Sequence, residues 1–108
     1  MRPHLLSTML VSLLIVLSVA IQSARPGAST EALQKALDWA CQSGADCLSI
    51  QPNQPCYEPN TVQDHASYVF NSYYQRFHKY GGSCDFGNAA ILTIADPSHG
   101  RCYFELDF

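Results

Sequence analysis

The chain has 108 residues, enough for one small domain, and its 6 Lys and Arg against 9 Asp and Glu leave a net charge of −3. No basic run interrupts this mild acidity, which excludes nucleic acid as a partner, because phosphate recognition draws on clustered Lys and Arg. Five cysteines point to an oxidising compartment, since a domain of this size buries too little apolar surface to be stable without cross-links.

The first predicted element is a leader. In "MRPHLLSTMLVSLLIVLSVA" Arg2 supplies a positive start, Leu10 to Leu17 an apolar run, and Ser18-Val19-Ala20 the small residues that a signal peptidase reads. The pattern predicts a signal peptide over 1–20, with Ala24 as the second choice of cleavage point, and a single secreted domain over 21–108. The apolar run falls short of the roughly 20 residues of a spanning helix. The chain stops at "CYFELDF" without the apolar tail of a cleaved lipid-anchor signal, so no membrane anchor is expected.

After the turn signal Pro26-Gly27, "STEALQKALDWACQSG" predicts a first helix. Ser29 or Thr30 caps it, Glu31 favours the positive end of its dipole, and Leu33, Ala36, Leu37 and Ala40 form one apolar stripe. Gly44 offers its left-handed stop. Ala45 to Pro59 is rich in proline and lacks periodicity, which predicts an ordered loop pinned by cysteines. A second helix follows, "VQDHASYVFNSYYQRF" from Val62 to Phe77, with Asn60 or Thr61 as cap and Asp64 completing a carboxylate form of the capping box. Gly81 and Gly82 end it. Between Cys84 and Leu106 two apolar stretches flank a turn containing Asp96, Pro97 and Gly100, which predicts a small antiparallel hairpin. The fold class expected is α+β: a small disulfide-stapled domain of two packed helices with a minor antiparallel β-hairpin.

Cys41, Cys47, Cys56, Cys84 and Cys102 contain no C-x-x-C pair and no closely following histidine, so disulfides rather than zinc are their expected use, and neither metal nor cofactor is implied. An odd cysteine in a secreted chain means a free thiol, an intermolecular bond or a lost partner.

On a helical wheel Val62, Ala66, Val69, Phe70, Tyr73 and Phe77 fall in one stripe about 100° wide, the expected core face. The opposite side collects Asp64, Tyr68, Asn71 and Gln75, with Tyr74 at its border, and Tyr57 and Glu58 lie just before the helix. A tyrosine among amides and a carboxylate suits a sugar, whose apolar CH face takes a flat ring and whose hydroxyls take polar groups. These seven residues are the candidate carbohydrate contacts.

The segments "RPGAS…LQKALDWACQSGADCLSIQPNQPCYEPNTVQDHASYVFNSYYQ" and "SCDFGNAAILTIADPSHGRCYF" closely resemble the plant family 43 carbohydrate-binding module, also called the X-eight domain. The family occurs at the C-terminus of some plant endo-β-1,3-glucanases and in callose-binding proteins of plasmodesmata. The resemblance implies a non-catalytic module that binds β-1,3-glucan (callose) in the apoplast or cell wall. It also implies the pairs Cys41–Cys47 and Cys56–Cys102, and leaves Cys84 as an unpaired thiol. The family cysteine that would join Cys84 falls at Gln22, and the tryptophan before it at Ile21. A free Cys84 in a monomer, a Cys84-linked dimer and a mis-assigned N-terminal exon boundary are the readings of that departure.

Two further functions are open to such a chain. A glycosidase needs two acids flanking a cleft at about 5–10 Å, and Asp38, Asp46, Glu58, Asp64 and Asp85 are available; the small size of the domain argues against a cleft that tunes one of them, so no enzyme is expected. The alternative to glucan binding is a cysteine-rich defence or signalling protein whose aromatic face meets a protein partner.

Overall fold

The computed structural model describes residues 20–82 and 84–106. The leader expected over 1–20 lies, apart from Ala20, outside the described residues.

Both predicted helices form for the local reasons that predict them. In α1 (Thr30–Gln42) the Ser29 hydroxyl accepts the Ala32 N–H at 3.0 Å, and Leu33, Leu37 and Ala40 are buried. In α2 (Val62–Phe77) the Thr61 hydroxyl accepts the Asp64 N–H at 3.0 Å, while the Asp64 carboxylate bonds back to the Thr61 hydroxyl. Gly44, just beyond α1, has φ +111°, and a Cβ there would lie 2.7 Å from the Phe77 ring, so glycine allows both the left-handed turn and the close approach of α2.

The antiparallel sheet has two strands, β1 (Ile21–Ala24) and β2 (Ala90–Thr93), in the register Ile21 to Thr93 and Ala24 to Ala90. The class expected from sequence is therefore found, but the strand pairing differs. The partner of β2 is the N-terminal strand, not the C-terminal stretch predicted to fold back as a hairpin. That stretch makes an isolated bridge between His99 and Cys102, and then leaves along α2. Two attachments direct it there: Cys102 is bonded to Cys56, and Phe104 packs edge-on against Tyr68 with ring centroids 5.3 Å apart.

The core lies where α1, α2 and β1 meet. Ala66, Val69, Phe70 and Tyr73 of the predicted stripe are buried and Val62 and Phe77 partly so, against Ile21, Ala24, Leu33, Leu37 and Ala40. Phe70 stacks on Phe86 with centroids 4.4 Å apart.

Both disulfides implied by the family resemblance are present, Cys41–Cys47 and Cys56–Cys102, and Cys84 carries a free thiol. They close chain separations of 6 and 46 residues. Chain-entropy arguments put the longer at about 4 kcal/mol and the shorter at about 2. A Cys56→Ala, Cys102→Ala variant should therefore lose about 2 kcal/mol more than Cys41→Ala, Cys47→Ala in urea unfolding; equal losses would show that closing the longer loop is not the dominant contribution.

Gln22 stands at the position where the resemblance implies the partner of Cys84, and the structure brings the two together. The Gln22 Nε2 donates to the Cys84 carbonyl at 3.2 Å, while its Oε1 is buried with no hydrogen-bond partner. Burial pushes the Cys84 thiol above its ordinary range, which lowers its thiolate fraction and its reactivity.

Candidate functional site

The side of α2 read as solvent-facing is internal. Tyr68 is 5 % exposed, Asn71 0 % and Gln75 4 %. The physical reason is that β1 lies beside α2 with one edge unpaired by β2, and polar side chains of the helix satisfy that edge. Ser67 Oγ accepts the Ala24 N–H at 3.0 Å, Asn71 Oδ1 accepts the Gln22 N–H at 3.2 Å, and Gln75 Nε2 donates to the Ala20 carbonyl at 2.8 Å. Four helical residues rise about 6 Å and two strand residues about 6.6 Å, so positions 67, 71 and 75 match 24, 22 and 20 step for step. Asn71 also donates to the Glu105 carbonyl at 2.8 Å, tying the C-terminal segment to the same row.

Tyr68 belongs to a second internal network. Its hydroxyl donates to Asp46 Oδ2 at 2.8 Å, and the Ser49 hydroxyl and the Leu48 and Ser49 N–H groups donate to the same carboxylate. Partial burial works to raise the Asp46 pKa, but these hydrogen bonds outweigh it and hold the carboxyl below its ordinary 3.8. Burial, with Asp46 beside it, pushes the Tyr68 hydroxyl up to about 12. One turn on, Ser72 accepts the Asp46 N–H at 2.8 Å and donates to Glu105 Oε2 at 2.9 Å. Arg76 then grips Glu105 through two bonds of 3.0 Å. Tyr68, Ser72 and Arg76 thus fasten the loop after α1 and the C-terminal segment to α2.

Four candidate contacts remain at the surface. Tyr74 is half-buried near the end of α2 and stacks on His78 with centroids 4.3 Å apart. Asp64, Glu58 and Tyr57 lie together near the start of α2. Glu58 and Asp64 border a cleft of about 160 Å³ that ends on the Cys56–Cys102 disulfide and Phe104. Tyr57 and Glu58 line a groove of about 410 Å³ with Asn53, Gln54 and Arg101, and Tyr57 also walls one of about 340 Å³ with Gln34, Asp38 and Gln51. The Tyr57 ring is steadied by His65, 5.6 Å away, whose Nε2 lies 2.7 Å from the Tyr57 carbonyl. A tyrosine ridge between amide-bearing grooves is therefore present, built by the loop before α2 rather than by its outer face.

His99 holds this loop to the C-terminal turn. Its Nδ1 lies 2.9 Å from the Pro97 carbonyl and its Nε2 3.1 Å from the Glu58 carbonyl. Only the imidazolium donates to both, and these bonds raise the His99 pKa above its ordinary 6.5. A raised folded pKa contributes stability fully present below the unfolded value and lost as pH rises through the folded one. Melting temperature should therefore fall as pH rises above about 6.5, in a way that His99→Gln abolishes; an identical pH profile in the variant would sink this assignment.

Sequence reasoning missed Trp39. It lies outside the Leu33, Leu37, Ala40 stripe of α1, is 46 % exposed, and packs edge-on against Tyr73 and Phe86 at 5.1 and 6.0 Å. A lone tryptophan off the apolar stripe was the available signal.

A family model described as the X8 domain matches residues 23–91. The chain belongs to the X8 family. Among its relatives, "Glucan endo-1,3-beta-glucosidase 1" of Arabidopsis thaliana is 52 % identical over 82 residues, which are 75 % of this chain and 16 % of the relative. "Glucan endo-1,3-beta-glucosidase 4" of the same plant is 49 % identical over 82 residues, again 75 % and 16 %. "Glucan endo-1,3-beta-D-glucosidase" of Olea europaea is 46 % identical over 80 residues, 74 % and 17 %. The chain thus spans about one sixth of the length of these relatives. Among the described residues no helix is long and apolar enough to cross a membrane.

Proposed function

We propose that this X8 chain is a secreted, non-catalytic module that binds β-1,3-glucan, with callose in the plant cell wall as its polymer. The observation that carries the reading is the 52 % identity to an enzyme named for endo-1,3-β-glucan cleavage, confined to 16 % of that enzyme's length. A shared portion so small fits a binding appendage rather than a hydrolase. The carboxylates fit the same reading. Asp46 and Glu105 are tied into hydrogen-bonded networks and Asp64 into the cap of α2, so these three acids already serve the fold.

The contact surface in this reading is the Tyr57–Glu58 ridge. The Tyr57 ring offers a flat apolar face, and Gln34, Gln51, Asn53, Gln54 and Glu58 offer hydroxyl partners. Asn71 and Gln75 act indirectly, by fixing β1. Cys84 is half-buried and its thiol poorly ionised, which supports a monomer over a Cys84-linked dimer.

Sedimentation with insoluble β-1,3-glucan and titration with laminarin, against cellulose as control, test the proposal. Selective retention supports it; equal retention on cellulose, or none on either polymer, sinks it. Tyr57→Ala should weaken laminarin binding about 2- to 12-fold, the equivalent of about 0.5–1.5 kcal/mol for one ring contact, with the melting temperature unchanged. Full affinity in a folded Tyr57→Ala protein would remove the ridge from the site.

A further inference from the structure

A further groove lies apart from those beside Tyr57. It holds about 510 Å³ on the opposite flank of α1, and its lining includes Ala32, Lys35, Ala36, Trp39, Asp85 and Phe86. That volume lies within the roughly 300–1,000 Å³ typical of small-ligand sites. Ala32 and Ala36, one helical turn apart, keep the α1 side of the groove low. The indole of Trp39 is held by its edge contacts with Tyr73 and Phe86, so it reaches a ligand already oriented.

The charges at this groove decide the kind of occupant. Lys35 and Asp85 have no side-chain hydrogen-bond or ion-pair partner among the described residues, and Asp85 does not cap the short turn Phe86–Asn88 that it precedes. An anion would meet Asp85 and a cation Lys35. An apolar protein surface would strip water from both charges without pairing either, at a cost in binding. A neutral polyhydroxyl chain avoids both penalties: its CH face lies on the indole, and its hydroxyls accept from Lys35 and donate to Asp85.

We infer that the Trp39 groove is a second carbohydrate subsite, taking a short stretch of a neutral β-glucan chain. The inference rests on the glucan-binding reading above and extends it. Tyr57 and Trp39 flank the same helix, whose diameter with side chains is about 10–12 Å, so a long chain engages both grooves where a trisaccharide fills one. Binding of the second groove by the same polymer is then intramolecular and raises the apparent affinity for polymer over that for the short sugar.

Trp39 is the only tryptophan of the chain, so its fluorescence reports on this groove directly. The whole secreted chain and its Tyr57→Ala variant are titrated with laminarihexaose, and both are sedimented with insoluble β-1,3-glucan. The expected result is a blue shift of indole emission in both proteins, with Trp39→Ala lowering laminarihexaose affinity about tenfold, the equivalent of about 1.4 kcal/mol. Because Trp39→Ala also removes ring packing, Ala32→Arg serves as a second variant: it fills the groove from an exposed helical position and should reduce sedimentation while the melting temperature holds. If the wild-type chain sediments but its emission is unmoved, or Ala32→Arg binds as well as wild type, the second subsite is overturned and the module reading stands. If the wild-type chain binds no glucan by either measurement, both readings fall.

Discussion

Phe70→Ala should leave the domain mostly unfolded at 25 °C. Phe70 is fully buried in α2 and stacks on Phe86, which in turn supports Tyr73 and Trp39. Truncating a buried phenylalanine costs about 3–5 kcal/mol, because the transfer free energy of the ring is lost and the neighbours fill the cavity only in part. A domain of this size has a stability near the low end of about 5–15 kcal/mol, so the loss approaches the whole. Near-ultraviolet circular dichroism and urea unfolding should show a collapsed native signal. Tyr80→Ala is the contrasting control: Tyr80 is 78 % exposed and its removal should change stability by less than about 0.5 kcal/mol. A cooperative native transition in Phe70→Ala close to that of wild type would overturn the placement of this ring at the centre of the core.

Gln22→Cys should have the opposite effect. The Gln22 side chain already reaches the Cys84 backbone, and a cysteine there would face the one free thiol of the chain across a separation of 62 residues. Closing a loop of that length is worth about 4 kcal/mol in the chain-entropy model, and about 2–4 in practice. The substitution also removes the Gln22 Oε1 that is buried without a partner. Intact mass under oxidising conditions should show a loss of two hydrogens relative to the reduced variant. The urea midpoint should rise, and a reductant should reverse that rise. Two free thiols in the folded variant would refute the juxtaposition.

The helices were legible because their signals are local. Of the two caps read for each helix, Ser29 and Thr61 are the ones used, and the stripe from Val62 to Phe77 finds its core. Strand β1 was not, because Ile21 continues the apolar composition of the leader and its partner, β2, is remote in sequence. The polar residues of α2 misled for a related reason. Periodicity separates polar from apolar faces but does not say whether a polar face meets water or the unpaired edge of a strand, and Asn71 and Gln75 meet a strand edge. Tyr57 and Glu58 kept their place at the surface because the proline-rich loop that carries them offers no regular face to bury. Trp39 could be singled out as a lone tryptophan off the apolar stripe, but the groove beside it needed tertiary information, because Phe86 forms its other wall.

Ser67, Asn71 and Gln75 bond β1 and the residue before it to α2. These bonds span 43, 49 and 55 residues, and the sheet waits on β2 at Ala90–Thr93. A ribosome delivers β1 before either helix, so this strand must wait for partners that lie far along the chain. Contacts between such distant positions close slowly. The helices, whose backbone bonds are local, are expected to form before β1 finds its place between α2 and β2.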